Sequence, residues 1–153
     1  MALLKEIVGA VRNLRSEMNI SPARKAAILI RAEGRDADVL REQRDLITLL
    51  GRGESLEVGP QVRKPDVTAS AVVRNHEIFL PLTGLIDVEV ELKRLQKEYD
   101  RVLKEFDNSR RKLQNDDFLG KAKTDVVERE REKFETLGTT KEKLERNLEV
   151  LKR

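Results

Sequence analysis

Residues 88–113 read VEVELKRLQKEYDRVLKEFDNSRRKL, and residues 127–151 read VEREREKFETLGTTKEKLERNLEVL. In each stretch, positions taken alternately three and four residues apart are mostly apolar, which is the spacing of a coiled-coil seam. The first seam consists of Val88, Leu92, Leu95, Tyr99, Val102, Phe106, Ser109 and Leu113. The second seam consists of Val127, Glu130, Phe134, Leu137, Lys141, Leu144, Leu148 and Leu151.

The polar members of the two seams match when the second seam is read in reverse. Tyr99 then lies opposite Lys141, and Ser109 lies opposite Glu130. Two unrelated helices would have no reason to match their polar interruptions, and polar residues at such positions specify the register of a coiled coil. We therefore predict one antiparallel coiled-coil helical hairpin with its turn near residues 115–124. At ~1.5 Å per residue this projecting arm is about 40 Å long.

The residues before the arm predict a small domain of helices and antiparallel strands, so the fold class is α+β. A helical stripe of apolar residues over 3–18 ends before Pro22, because proline lacks an amide hydrogen and disfavours helix in the residue before it. The predicted strands are 25–32, 55–58, 67–73 and 77–80, and a second helix is predicted over 36–50. The predicted domains are a first helix at 1–20, a small α+β domain at 21–82 and the arm at 83–153.

Composition excludes several classes of protein. Charged residues make up 39% of the chain and aromatic residues 3%, unlike an enzyme with a large buried core. There is no cysteine, no glycine-rich phosphate loop and no cluster of metal-ligand residues in the sequence. The only histidine, His76, falls in the predicted turn between the last two strands, where catalytic histidines are rare. The sequence therefore predicts no catalytic residue, metal site or cofactor.

The apolar segments predict where the protein resides and what it associates with. The longest apolar run, residues 26–30, is too short to cross a bilayer, so we expect no membrane partner. The absence of cysteine fits the reducing cytosol, so we expect a cytoplasmic protein. Nothing in the sequence indicates DNA. The apolar face of the first helix must pack on the small domain or on another copy. Self-association through residues 1–18 is therefore a further expectation.

A cluster of basic residues surrounds the predicted turn of the arm. Residues 87–153 carry 18 Lys or Arg and 17 Asp or Glu, so the arm as a whole is nearly neutral. Between residues 108 and 123 the only acidic residues are Asp116 and Asp117, whereas the basic residues are Arg110, Arg111, Lys112, Lys121 and Lys123. Such a cluster either solvates a helix surface or contacts phosphates and releases their counterions. Its place at the end of the arm favours phosphate contact.

Two apolar residues lie within the same predicted turn. Phe118 is predicted to plug the end of the hairpin, although an exposed aromatic beside basic residues can also stack on a nucleotide base. For Leu119 both packing and contact with a ligand stay open. We include Leu119 with the five basic residues among the candidate RNA-binding residues.

Stretches along the whole chain, taken in order, resemble the C-terminal region of bacterial valyl-tRNA synthetase. They are VRNLRSEMNISP at 11–22, IFLPL at 78–82, GLID at 84–87, EL and RL at 91–95, KL and N at 112–115, F at 118, KA at 121–122, and VVE and ER at 126–131. Each piece alone is weak, but the combination is specific. Lys123 departs from the pattern, because the family commonly has proline after the alanine.

The resemblance implies a role for each part of the chain. Residues 1–20 correspond to the end of the anticodon-binding helical region and residues 21–82 to a connector. The arm corresponds to the family's tRNA-binding arm, which reaches the outer corner of tRNA(Val), where the D and T loops meet. The family's ATP-binding signatures and editing domain are absent from this sequence. The resemblance therefore implies a fragment of a ligase with no active site, whose parent enzyme uses ATP.

A second class of function stays open beside this one. A long helical hairpin also serves as a protein-interaction arm in scaffolds and chaperones. Salt-sensitive binding to folded tRNA would support the first class, whereas salt-insensitive pairing with a protein would support the second.

Overall fold

The computed structural model describes residues 1–152, so Arg153, the last residue of the predicted arm, lies outside the described residues. The elements are α1 (Ala2–Glu17), β1 (Ala26–Arg31), α2 (Gly34–Glu42), α3 (Arg44–Leu50), β2 (Gly53–Gly59), β3 (Thr68–Val73), β4 (His76–Pro81), α4 (Val88–Leu113), α5 (Asp116–Lys121) and α6 (Thr124–Lys152). They form two compact units, residues 1–91 and residues 92–152. The first unit holds the sheet and the second consists of helices, which confirms the α+β class.

The four strands form a mixed sheet in the order β2-β1-β4-β3. Strand β1 is antiparallel to β4, with Ile30 opposite Ile78, and parallel to β2, with Ile28 opposite Leu56. The prediction of a purely antiparallel sheet was therefore wrong for the β1–β2 pair. Parallel neighbours need a crossover connection, and here helices α2 and α3 provide it. The single helix predicted over 36–50 is in fact these two helices, which are separated at Gln43.

Helix α1 buries its apolar face within the first unit. The buried residues of this stripe are Leu3, Leu4, Ile7, Val8, Val11, Leu14 and Met18. The helix packs against β3, β4 and α3, and burying each large apolar side chain contributes roughly 1.5–3 kcal/mol. The face from which self-association was expected is thus covered by the chain itself. The expectation of self-association through residues 1–18 loses its basis.

His76 lies in a strand and not in the turn where it was predicted. It is the first residue of β4, pairs with Val73 of β3 and is 7% exposed. The turn itself consists of Arg74, in the left-handed conformation at φ 55°, and Asn75. The His76 Nε2 atom lies 2.9 Å from Asp36 Oδ2 in a hydrogen bond. The imidazole therefore joins β4 to α2 and has a structural role.

Contacts between α4 and α6 follow the predicted antiparallel register. The rings of Phe106 and Phe134 stack with their centroids 4.6 Å apart, and the Ser109 hydroxyl donates a hydrogen bond to the Glu130 carbonyl oxygen at 3.5 Å. All sixteen seam positions are buried or partly buried. The supercoiling that defines a coiled coil stays a prediction.

The polar seam positions Tyr99 and Lys141 share a third partner, Glu145. The Tyr99 hydroxyl donates to Glu145 Oε1 at 3.1 Å, and the Lys141 ammonium lies 2.8 Å from the same oxygen. Hydrogen bonds from Lys141 and then from Tyr99 lower the pKa of Glu145. The bond to Glu145 raises the pKa of Lys141, whereas burial is the larger reason that the pKa of Tyr99 is raised. Glu145, which is not a seam residue, thus bonds both of these polar seam residues.

Gly138 provides a test of the packing between α4 and α6. Helix α6 continues through this residue, although glycine inside a helix costs about 0.5–1 kcal/mol relative to alanine. A Cβ atom at this position would lie 3.4 Å from Phe106 Cε2, an ordinary contact. We expect Gly138→Ala to raise the free energy of unfolding by about 0.5–1 kcal/mol in urea denaturation followed by circular dichroism.

Gly120 supplies the matched control for this substitution. A Cβ atom at Gly120 would meet nothing within 4 Å, so Gly120→Ala changes helix propensity in α5 without a new contact. A loss of stability in Gly138→Ala, with none in Gly120→Ala, would contradict the expected accommodation against Phe106.

Candidate nucleic-acid interface

The predicted basic cluster lies where α4 ends, along α5 and where α6 begins. The last turn of α4 carries Arg110, Arg111 and Lys112, and the last turn of α5 carries Lys121. Lys123 directly precedes α6, and its carbonyl oxygen accepts hydrogen bonds from the amides of Val126 and Val127. All five side chains are exposed. We call residues 108–123 the tip.

Helix α5 occupies the segment that was predicted to be a simple turn. The Asn115 side-chain oxygen accepts hydrogen bonds from the amides of Asp117 at 3.0 Å and Phe118 at 3.4 Å, so Asn115 caps the helix. Asp116 and Asp117 lie in its first turn, where the helix dipole favours negative charge. The two carboxylates of the tip therefore have a local structural role. An asparagine followed by two aspartates is a helix start signal that could have predicted α5.

The ion pairs of the arm leave most basic residues of the tip unpaired. The arm away from the tip has pairs one helical turn apart, namely Arg94–Glu98, Arg101–Glu105 and Lys141–Glu145. At the tip, Arg110 is paired with Asp107 at 3.1 Å. Within residues 1–152, no ion pair joins a carboxylate to Arg111, Lys112, Lys121 or Lys123. The positive charge of the tip is thus concentrated in these four side chains.

The two apolar residues of α5 differ in exposure. Phe118 is half-buried, whereas Leu119 is 37% exposed. Leu119 therefore presents apolar surface close in sequence to Lys121 and Lys123. Such a surface can pack against a ribose or a base edge while the neighbouring ammonium groups contact phosphates.

The chemistry available at the tip is that of binding. Lysine and arginine donate hydrogen bonds to phosphate oxygens, and arginine does so with a planar fork. In the part of the chain that the structure describes, no three His, Asp or Glu residues are grouped to hold a metal ion. The helices of residues 1–152 include none with the length and hydropathy of a membrane span. Fold and site together define the chain as an α+β domain that carries a helical arm with a basic tip.

Comparison with known proteins shows what the arm and the rest of the chain are similar to. Residues 87–152 match the family described as "Valyl tRNA synthetase tRNA binding arm". The valine–tRNA ligase of Nitratidesulfovibrio vulgaris is 41% identical over 146 residues, which is 95% of this chain and 16% of that enzyme. The ligase of Geobacter sulfurreducens is 36% identical over 100% of this chain and 17% of the enzyme, and that of Bacillus subtilis is 33% identical over 99% and 17%.

Almost the whole chain is thus similar to a part of these ligases, and residues 87–152 match the tRNA-binding arm. The chain spans about one sixth of the length of the curated relatives it matches. The resemblance to the C-terminal region of the bacterial enzymes is thereby confirmed.

Proposed function

We propose that this chain is a non-catalytic part of a valine–tRNA ligase and that the tip of its arm binds the elbow of tRNA(Val), where the D and T loops meet. The observation that carries the proposal is the local excess of exposed positive charge at the tip. Its five basic residues are exposed, and its two carboxylates, Asp116 and Asp117, lie in the first turn of α5. Four of the five basic residues have no ion pair within residues 1–152.

Basic side chains without carboxylate partners at the end of an arm can bind the phosphates of a folded RNA. Each lysine or arginine that neutralises a phosphate releases a condensed counterion, and this release supplies most of the sequence-independent affinity. Contacts of this kind position an RNA without reading its bases. The choice of the elbow as the contact point comes from the family resemblance, and Leu119 is proposed to pack on the RNA there.

The proposed role in the parent ligase is to raise the affinity for tRNA during charging. The reaction with valine and ATP belongs to other parts of that enzyme, because this chain contains none of the family's ATP-binding signatures. The arm therefore contributes to tRNA binding and orientation, whereas valine activation proceeds without it.

Titration of fluorescently labelled tRNA(Val) with this chain at 50 to 200 mM salt tests the proposal. Because at most a few phosphates can be contacted by five basic side chains, we expect log affinity to fall against log salt with a slope of roughly −2 to −4. A tRNA of another specificity should bind with similar affinity, since the elbow is recognised by backbone and shape. A linear RNA duplex of equal length, which has no elbow, should bind more weakly.

Two outcomes would contradict the proposal. Equal affinity for the duplex and the folded tRNA would exclude recognition of the elbow. Absence of tRNA binding at 50 mM salt, together with salt-insensitive association with a protein, would favour the protein-interaction arm instead.

A further inference from the structure

A second basic surface lies in the α+β unit, beside the loop after α1 and the connection from α3 to β2. A groove of about 740 Å³ opens there, and Arg12, Lys25 and Arg52 contribute its positive charge. Asp45 is the one carboxylate among the described residues that line it. An adjoining cavity of about 330 Å³ shares Arg12 and Arg52 and adds Arg15. We call the larger cavity the domain groove.

The two arginines of the domain groove are held by backbone carbonyls, and its cations lack carboxylate partners. Arg12 Nε donates to the Leu50 carbonyl at 3.1 Å, and Arg52 Nη1 donates to the Pro22 carbonyl at 2.9 Å. Across residues 1–152, no ion pair involves Arg12, Arg52 or Lys25. A carbonyl fixes a guanidinium in place but leaves its charge uncompensated. Since a guanidinium has five N–H donors, both arginines retain positioned donors for an anion.

Arg52 occupies a backbone conformation that normally favours glycine. Its φ is 52°, a left-handed conformation that is strained for a residue with a Cβ atom. The glycines on either side are closely packed, since a Cβ at Gly51 would lie 2.9 Å from the Ile47 carbonyl oxygen and one at Gly53 would lie 2.8 Å from Ile28 Cδ1. This backbone conformation and the bond to the Pro22 carbonyl together fix the Arg52 side chain at the edge of the groove.

Arg52 also acts on the neighbouring buried Arg15. Arg15 is 6% exposed and donates hydrogen bonds to the carbonyls of Ser21, Arg24 and Arg52. Burial lowers the pKa of Arg15, and the charge of Arg52 lowers it further. An anion in the domain groove would relieve this repulsion between like charges.

We propose that the domain groove binds phosphate groups of an RNA backbone and forms a second nucleic-acid contact, separate from the tip. Three cations face one carboxylate, and the arginine donors are positioned in advance, which suits the oxygens of a phosphate. Leu49, which is 73% exposed, and Leu50 add apolar surface beside the charges. An apolar wall of this kind can accommodate a ribose. The choice of RNA rests on the proposed function, whereas the anion chemistry does not.

Nuclear magnetic resonance of the full chain with a decauridine oligoribonucleotide tests the proposal. At 50 mM salt we expect shift changes at the amides of residues 24–26 and 51–53. Lys25→Glu removes a cation whose side chain makes no hydrogen bond or ion pair among the described residues. Arg52→Gly removes the guanidinium while the backbone keeps a conformation that glycine prefers. Each is expected to weaken binding at the groove roughly fivefold to tenfold and to reduce the salt slope by about 1.

Two further variants complete the design. Arg63→Glu with Lys64→Glu is the matched control, because both residues are exposed and neither lines the domain groove. This control should leave the shift changes at the groove unaltered. Asp45→Asn removes the carboxylate of the groove and should tighten binding by a few-fold.

Three results would overturn the proposal. The first is shift changes confined to residues 108–123, and the second is wild-type affinity in both Lys25→Glu and Arg52→Gly. The third is equal affinity for decaglutamate, which would assign the groove to an acidic protein segment. A failure of the proposed tRNA contact at the tip would give a different result. Folded tRNA would then not shift the amides of residues 108–123, whereas decauridine would still shift the amides of the groove.

Discussion

Reversal of three charges at the tip, in Arg111→Glu, Lys121→Glu and Lys123→Glu combined, is expected to remove most of the salt-dependent tRNA binding of the arm. Arg111 lies in α4, Lys121 lies in α5 and Lys123 directly precedes α6, and no ion pair involves any of them within residues 1–152. Arg110 is left unchanged because it is paired with Asp107. The slope of log affinity against log salt should approach zero, and affinity at 50 mM salt should fall on the order of a hundredfold.

A matched control variant distinguishes the effect of charge at the tip from the effect of the net charge of the chain. Lys93→Glu, Lys97→Glu and Arg146→Glu combined change the net charge by the same amount at exposed positions in α4 and α6 away from the tip. This control should bind tRNA within about threefold of the wild-type chain at 150 mM salt, where exposed charges more than ~8 Å apart are largely screened. Circular dichroism should show the same helix content in both variants. Equal weakening by both would assign binding to overall charge and contradict a tip site.

The same tip reversal in a full-length ligase extends the test to charging. We expect a higher tRNA concentration to be needed for charging, with valine activation by ATP unchanged. Impaired activation with wild-type tRNA affinity and salt slope would contradict a role of the arm in tRNA binding.

The second large effect is expected on the free energy of unfolding, when a leucine on the seam is replaced by alanine. Leu95 of α4 is 2% exposed and Leu144 of α6 is 6% exposed, and the predicted register places them opposite one another. Leu95→Ala and Leu144→Ala should each lower the free energy of unfolding by about 2–5 kcal/mol. Because both remove the same contact, the double variant should lose clearly less than the sum. Urea denaturation followed by circular dichroism measures the free energy of unfolding of the two single variants and the double variant.

Val102 offers the control pair for this cycle. Val102 is 2% exposed but lies two turns beyond Leu95 in α4, opposite Leu137 in the predicted register. Val102→Ala combined with Leu144→Ala should therefore be additive within about 0.5 kcal/mol. Additivity for Leu95 with Leu144, and coupling for Val102 with Leu144, would contradict the predicted register.

Features set by near neighbours in the sequence were predictable. The periodic spacing of apolar residues predicts α1, α4 and α6, because a helix repeats every 3.6 residues whatever surrounds it. Matching the polar seam positions predicted the register that the Phe106–Phe134 stack follows. The Arg110–Asp107 pair and the Asn115 cap also depend on residues within three positions, so both could have been read from the sequence.

The excess of basic residues at the tip was predictable from the sequence, but which of their side chains form ion pairs was not. Counting residues between 108 and 123 is sufficient to find the excess of basic residues. The lack of carboxylate partners for Lys121 and Lys123 depends on how α4, α5 and α6 are arranged in space. Glu145 illustrates the same limit, because its bond to Tyr99 joins residues 46 positions apart.

The sequence by itself determined the helices of the arm, the α+β class and the basic composition of the tip, because these depend on local spacing and composition. Only the tertiary structure decided that β1 and β2 are parallel, that His76 is buried against Asp36, and that Arg12 and Arg52 meet in the domain groove. These features bring together residues some 25 to 40 positions apart. Their energies depend on packing and on backbone carbonyls that become neighbours only when the chain has folded, and no local pattern records which carbonyls those are.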